Sequence, residues 1–364
     1  MILNKTFSKQ HTLMTKGILV MLLLLHHVFF PERISEYGLK TLIIQNVELA
    51  NEVALFGKIC IAGFAFLSAY GMTRAFKRFE QDNIQAYFSH ILKRFLKLEA
   101  SIIIVYLLAV LYRRFVVIES VTKIYVQDEK NIIKVLLYML LDMTGLACYT
   151  DTPTINVTWW YLSYAILLIA AMPFLYKIYA MYRYLILPIA LLLPSILFQT
   201  RVSFAQLLPI VFLGVAFAYE DWFEKIRSTG GTKTKVIKFI IGIFTIWVAF
   251  LLSENLDIMF AYTLAFIIPY MVFEFIGEVP LVSKVLEFAG KHSMNIFLTH
   301  TFIYYYFYDD FIYSFHYSVL IFTVLLLLSL GVSIGIGVIK KVTGYNKLTQ
   351  WMINQVDRSF AMKK

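Results

Sequence analysis

Two adjacent histidines, His26 and His27, sit inside the apolar run GILVMLLLLHHVFF, and Lys16 stands just before it, eleven positions ahead of His27. Imidazole is the side chain whose proton affinity lies nearest neutral pH, so it can take a proton from a hydroxyl or attack a carbonyl carbon. Ionisable groups are costly inside an apolar segment and usually mark a partner or a function. On a helix, eleven residues cover about 16 Å. Lys16 then lies at one mouth of a membrane span and His27 in its far half. That separation suits a donor taken from the cytosol and an acceptor met on the outer side. His26 is turned about 100° from His27 around the axis and is expected to orient or pack. The pair also fits a simpler place among the outer headgroups, and spacing alone leaves both readings open.

Other segments carry further candidates. The run FGKICIAGFAFLSAYGMTR ends in Ser68-Ala69-Tyr70-Gly71, a small-residue patch that lets helices approach closely. Ser68 is a candidate to line a reaction chamber. Basic residues follow: Arg74, Lys77 and Arg78, then Lys93-Arg94-Phe95-Leu96-Lys97. Such a cluster suits either anionic lipid or the phosphates of a cytosolic ligand. Trp159 and Trp160 open the segment TWWYLSY, as an aromatic belt or as a chamber wall. In HSMNIFLTH, His300 falls about 12 Å beyond His292, near mid-membrane. Ser293 and Asn295 are expected at that helix's N-terminus, where the positive dipole end suits an anion. No metal site is expected, because the histidines are scattered and His26-His27 lack carboxylates at ligand spacing.

Composition says which elements must hold these residues. Of 364 residues, 60% are hydrophobic and 15% charged, against about 25% charged in a soluble domain. An all-α polytopic membrane protein is expected, forming a single membrane-embedded domain over 1–364. Apolar runs long enough to cross fall near 14–30, 53–73, 98–118, 158–176, 184–200, 204–219, 237–253, 258–276, 293–309 and 318–339, about ten helices. The run at 136–147 is too short and polar, and is expected to be re-entrant or interfacial. Both termini are placed in the cytoplasm, because this puts 24 of the 33 basic residues on the inner side. The net charge of +10 then faces anionic lipid and implies no nucleic-acid partner.

An outer basic cluster (Arg113, Arg114, Lys123, Lys130, Lys134) runs against that bias, as snorkelling side chains or as a contact for a polyanionic wall polymer. The first run follows the basic Lys5, Lys9 and Lys16 but no small-residue cleavage site follows it, so it is expected to remain as a helix. No paired broken-helix repeat marks a secondary transporter. Cys60 and Cys148 provide no disulfide framework.

In combination these residues resemble the integral-membrane acyltransferase-3 family, O-acyltransferases of cell-surface carbohydrates. The family's first helix carries a basic residue, ten intervening positions and a histidine; Lys16 and His27 match, with Lys where Arg is commoner. Phe66-Leu67-Ser68-Ala69-Tyr70 is similar to the family's second-helix ending, with Ala69 in place of glycine. Arg94-Phe95-Leu96-Lys97 is similar to its R-x-x-R pattern. Ser293, Ile296, Leu298 and His300 match its late S-x-x-I-x-L-x-H pattern. The resemblance runs from Lys16 to the tenth expected span.

The resemblance implies a multi-pass protein of a bacterial cell membrane that O-acylates a surface polysaccharide, cell-wall polymer or glycolipid. Acyl-CoA, in its simplest form acetyl-CoA, is the implied donor substrate, with no resident cofactor. His27 would act as general base or carry the acyl group, with His300 and Ser68 beside it in the catalytic set. Lys16, Arg74, Arg94 and Lys97 would receive the donor's phosphates, and Trp160, His26 and Asn295 would contact the acceptor. The competing expectation is a flippase or transporter of a lipid-linked glycan, which needs no thioester. Acceptor identity and oligomeric state are not legible.

Overall fold

The first helix begins at a reciprocal cap. Ser8 Oγ accepts from the His11 backbone N–H, while the Ser8 N–H donates to His11 Nδ1 at 2.9 Å. From there helix α1, Lys9–Val28, runs for 20 residues, about 30 Å, the thickness of a bilayer core. The computed structural model describes residues 6–38, 40, 47–79, 83–126, 131–197, 203–227, 230–255 and 258–361. Lys5 and Lys130 lie outside the described residues.

Ten further helices matter here: α2 (Val47–Gly57), α3 (Cys60–Phe76), α4 (Ile84–Phe115), α5 (Ile132–Met143), α6 (Trp160–Tyr182), α7 (Ser203–Tyr219), α8 (Thr232–Asn255), α9 (Pro280–Thr301), α10 (Ser318–Val342) and α11 (Tyr345–Ala361). No β-strand occurs among the described residues. Among the described residues, seven stretches are long and apolar enough to cross a membrane: Lys9–Val28, Glu48–Phe76, Ile84–Phe115, Val157–Pro194, Thr232–Ser253, Met259–Glu278 and Ser318–Val342. The all-α polytopic architecture therefore holds, with the helices divided differently from ten equal spans. The runs expected at 158–176 and 184–200 share the continuous stretch Val157–Pro194. The run at 204–219 is a shorter apolar helix, Ala205–Tyr219. The run at 293–309 is the end of α9 followed by a π-helical turn, Phe302–Phe307.

One expectation fails. Ser293 and Asn295 do not open a helix, because α9 starts at Pro280, the residue type that suits a first helical position. They sit about 20 Å from that N-terminus, so the dipole offers them no anion site. Two other elements follow from length alone. The 32 residues of α4 measure about 48 Å, more than the ~30 Å bilayer core. Its apolar half can cross while the basic stretch around Arg94 projects beyond it. The 12 residues of α5 reach only about 18 Å. That helix exposes Ile133, Leu136, Leu137 and Leu140 while burying Val135 and Asp142, the pattern of a helix lying on an interface.

The chain forms two compact units. The first comprises Met1–Arg78, Met172–Ser293 and Ile303–Leu330; the second comprises Phe79–Ala171, Met294–Phe302 and Gly331–Lys364. Helices α6, α9 and α10 contribute residues to both. In the first unit, α1 packs against α2 and α3, and α3 against α7. A Cβ on Gly17 would overlap the backbone of Leu286, and one on Gly290 the backbone of Leu13. Glycine at both positions is what lets α1 and the first half of α9 touch main chain to main chain. In the second unit, α4 packs against α11, with Lys93 Nζ 2.6 Å from Asp357 Oδ1.

Candidate functional site

In the first unit, the two neighbouring histidines of α1 are held differently. His26 is buried, and its Nδ1 lies 2.7 Å from the Ala54 carbonyl of α2. A carbonyl only accepts, so Nδ1 carries the proton and the ring is fixed. His27 is half-buried, its ring 4.8 Å from that of His26 and 6.0 Å from that of Tyr304. Lys16 is half-buried on the same helix, nearer its start. Beyond the end of α1, Tyr313 donates its hydroxyl to the Val28 carbonyl at 3.1 Å, satisfying one of the helix's last acceptors.

Ser68 is half-buried on α3, one residue before the fully buried Ala69. Opposite that turn stands Gly214 of α7, where an added Cβ would press on the Phe66 carbonyl and the Ala69 methyl. The glycine missing at 69 is thus offset by one on the facing helix, and the close approach survives. At the end of α3, Arg74 forms an ion pair with Asp221 and lies 3.8 Å from Glu224. Lys77 binds Asp221 at 2.9 Å and the Tyr219 carbonyl at 3.0 Å. These two cations face two carboxylates, so this part of the basic cluster is internally neutralised.

In the second unit, Arg94 is half-buried and Lys97 exposed on the projecting part of α4. His300 is fully buried near the end of α9, with Nδ1 donating to the Phe297 carbonyl at 2.9 Å and to that of Ile296 at 3.1 Å. Its Nε2 lies 3.4 Å from Thr301 Oγ1. Thr301 meets Thr158 at 2.9 Å, and Thr158 donates to Asn156 Oδ1 at 2.7 Å. The buried Trp159 donates its indole N–H to the Leu298 carbonyl at 3.2 Å. Trp160, half-buried, keeps its ring edge-on to Tyr161. Asn295 donates to Ser333 of α10, 3.1 Å to Oγ and 3.3 Å to the carbonyl.

Sequence reasoning passed over the strongest polar centre of this unit. Asp142, 1% exposed at the end of α5, accepts from Tyr125 Oη, Thr154 Oγ1 and the Ile155 N–H at 2.6 to 2.7 Å. Tyr106 extends the chain to Tyr125 at 3.1 Å. Burial pushes the Asp142 carboxyl upward, against the pull of its three donors. The available signal was a lone acid in the apolar stretch LLYMLLDMTG. Glu99 of α4 was also missed; it is buried, and neither carboxylate oxygen has a hydrogen-bond partner among the described residues.

Residues 14–338 match the acyltransferase-3 family, described as an acyltransferase domain. The chain belongs to that family, and its helices make it a multi-pass membrane acyltransferase. Comparison with curated proteins and with solved structures found no match.

Proposed function

We propose that the protein moves a short acyl group, acetyl in the simplest case, from cytosolic acyl-CoA to a hydroxyl of an outer glycan or glycolipid of a bacterial cell. The carrying observation is the position of His27 on α1, half-buried with its ring 4.8 Å from that of His26 and 6.0 Å from that of Tyr304. With the termini in the cytoplasm, Lys16 lies towards the donor's side and His27 towards the acceptor's.

In the proposed reaction, neutral His27 takes the proton of the acceptor hydroxyl as its oxygen attacks the thioester carbonyl carbon. A C–O bond forms, the C–S bond breaks, and the departing thiolate takes the proton back from the imidazolium. Such general base catalysis contributes about 10²–10⁴-fold. Lys16 and Arg74 of the first unit supply cations for the donor's phosphates. Lys77 shares the Asp221 pair with Arg74, so phosphate binding there competes with carboxylate.

The test is transfer of label from radiolabelled acetyl-CoA in vesicles, at matched protein levels. Label should reach glycan with wild type and His26→Ala, and be lost with His27→Ala. Label that first collects on protein and chases into glycan would replace the general base by an acyl-imidazole. No label with any variant, while lipid-linked glycan still crosses the bilayer, would overturn the reading in favour of a flippase.

A further inference from the structure

Within the second unit, polar side chains gather around one cavity. The cavity, of about 200 Å³, is walled by residues that include Asp142, Cys148, Asp151, Thr152, Trp160 and Ser163. It sits between the interfacial helix α5 and the start of α6.

Size, wall chemistry and charge restrict its occupant. Pockets for drug-sized ligands span roughly 300–1,000 Å³, so this one has room for a single sugar ring and not for a longer chain. Trp160 offers an apolar aromatic face in the same wall as the exposed carboxylate of Asp151 and the hydroxyl of Thr152. A pyranose has the matching surface: an apolar face of C–H groups and a rim of hydroxyls that donate to carboxylates. The lining holds two carboxylates, Asp142 and Asp151, and no Lys or Arg, so a uronate or phosphate would meet like charge.

The wall is also built in advance. Asp142 is locked by three donors, Ser163 Oγ donates to the Gly145 carbonyl, and Trp159 beside the cavity is tied to Leu298. Such preorganisation lowers the ordering cost of binding.

We propose that this cavity is the subsite for one neutral pyranose unit of the acceptor, stacked on Trp160 with its hydroxyls met by Asp151 and Thr152. Its place in the reaction rests on the glycan-acylation reading above, while its preference for a neutral sugar stands on the cavity itself. The ring arrives either on a free glycan or as a glycolipid headgroup.

The chain contains its own reporter. Cys148 is exposed and lines the cavity, whereas Cys60, the other cysteine, is fully buried. The experiment follows maleimide modification of Cys148 in nanodiscs, with no acyl donor present. The probes are methyl glucopyranoside, methyl N-acetylglucosaminide, methyl glucuronide and monoglucosyl diacylglycerol in the disc lipid.

Both neutral glycosides should slow modification at concentrations where the glucuronide does not. Trp160→Ala should raise the half-protecting concentration about tenfold, the loss of one central aromatic contact. Trp160→Phe, which keeps a ring, should stay near wild type. Asp151→Asn should weaken the neutral sugars and narrow the gap to the glucuronide. Protection by the glycolipid alone supports the same subsite with a headgroup as its source.

No protection by any sugar, equal protection by the glucuronide, or protection unchanged in Trp160→Ala would overturn the proposal. Acyl transfer measured separately keeps the two readings apart. Transfer without protection removes the subsite only, and protection without transfer removes the glycan-acylation reading only.

Discussion

In the first unit, buried polar side chains such as His26 and Tyr313 are each anchored singly, to the Ala54 and Val28 carbonyls, while Arg74 and Lys77 at the end of α3 share Asp221. In the second, Asp142, Tyr125, Tyr106 and Thr154 form one connected set, and Asn156, Thr158 and Thr301 form another. A connected set fixes every member, because moving one strands its neighbours in a low-dielectric interior. Single anchors fix one group each. His26 is such a group: the Ala54 carbonyl holds its ring against α2, beside the half-buried His27. The network in the second unit is better suited to holding the shape of a binding wall.

The comparison breaks most sharply at the histidine pair. His27→Ala should lower acyl transfer about 10²–10⁴-fold with no loss of folded protein. His26→Ala should keep transfer per folded molecule and lower the thermal midpoint, as expected of a lost buried hydrogen bond. Equal losses of activity in the two variants would erase the distinction.

Next in size is Asp142→Ala, which strands three donors, each worth roughly 1–3 kcal/mol when left buried and unpaired. Thermal unfolding in nanodiscs should register a loss larger than that of any single anchor in the first unit. Gly290→Ala should cost about 1–3 kcal/mol by forcing α1 and α9 apart, read in the same assay. Smallest is Asp221→Asn, which removes an exposed partner worth about 0–1 kcal/mol. If Arg74 and Lys77 hold phosphate, this variant should lower KM for acyl-CoA with kcat unchanged. An unaltered KM would identify them as anchors for helix ends.

The sequence made the membrane class, most helix positions and the family legible, because apolar runs and ordered motifs are local signals. His26 and His27 were distinguishable only as two directions on a helix; the anchoring of His26 depends on Ala54, 28 residues away. The neutralisation of Arg74 by Asp221 was likewise hidden, since the partners are 147 residues apart. Ser293 and Asn295 were misplaced for a different reason. The mixed segment from Pro280 onward lacks the apolar character of a span, so it is not legible from the sequence as the first half of α9. Asp142 was overlooked because its significance lies in three donors that converge from outside its own helix.

The length of α4 has a mechanical meaning. No glycine or proline interrupts its 32 residues, so nothing in it favours a bend. Arg94 and Lys97 therefore stand at a set height above Tyr106, whatever lipids surround the helix. A thinner or thicker bilayer slides along this rod without changing that distance. The helix acts as a ruler, and its charged marks are read from the protein's own wall, not from the membrane surface.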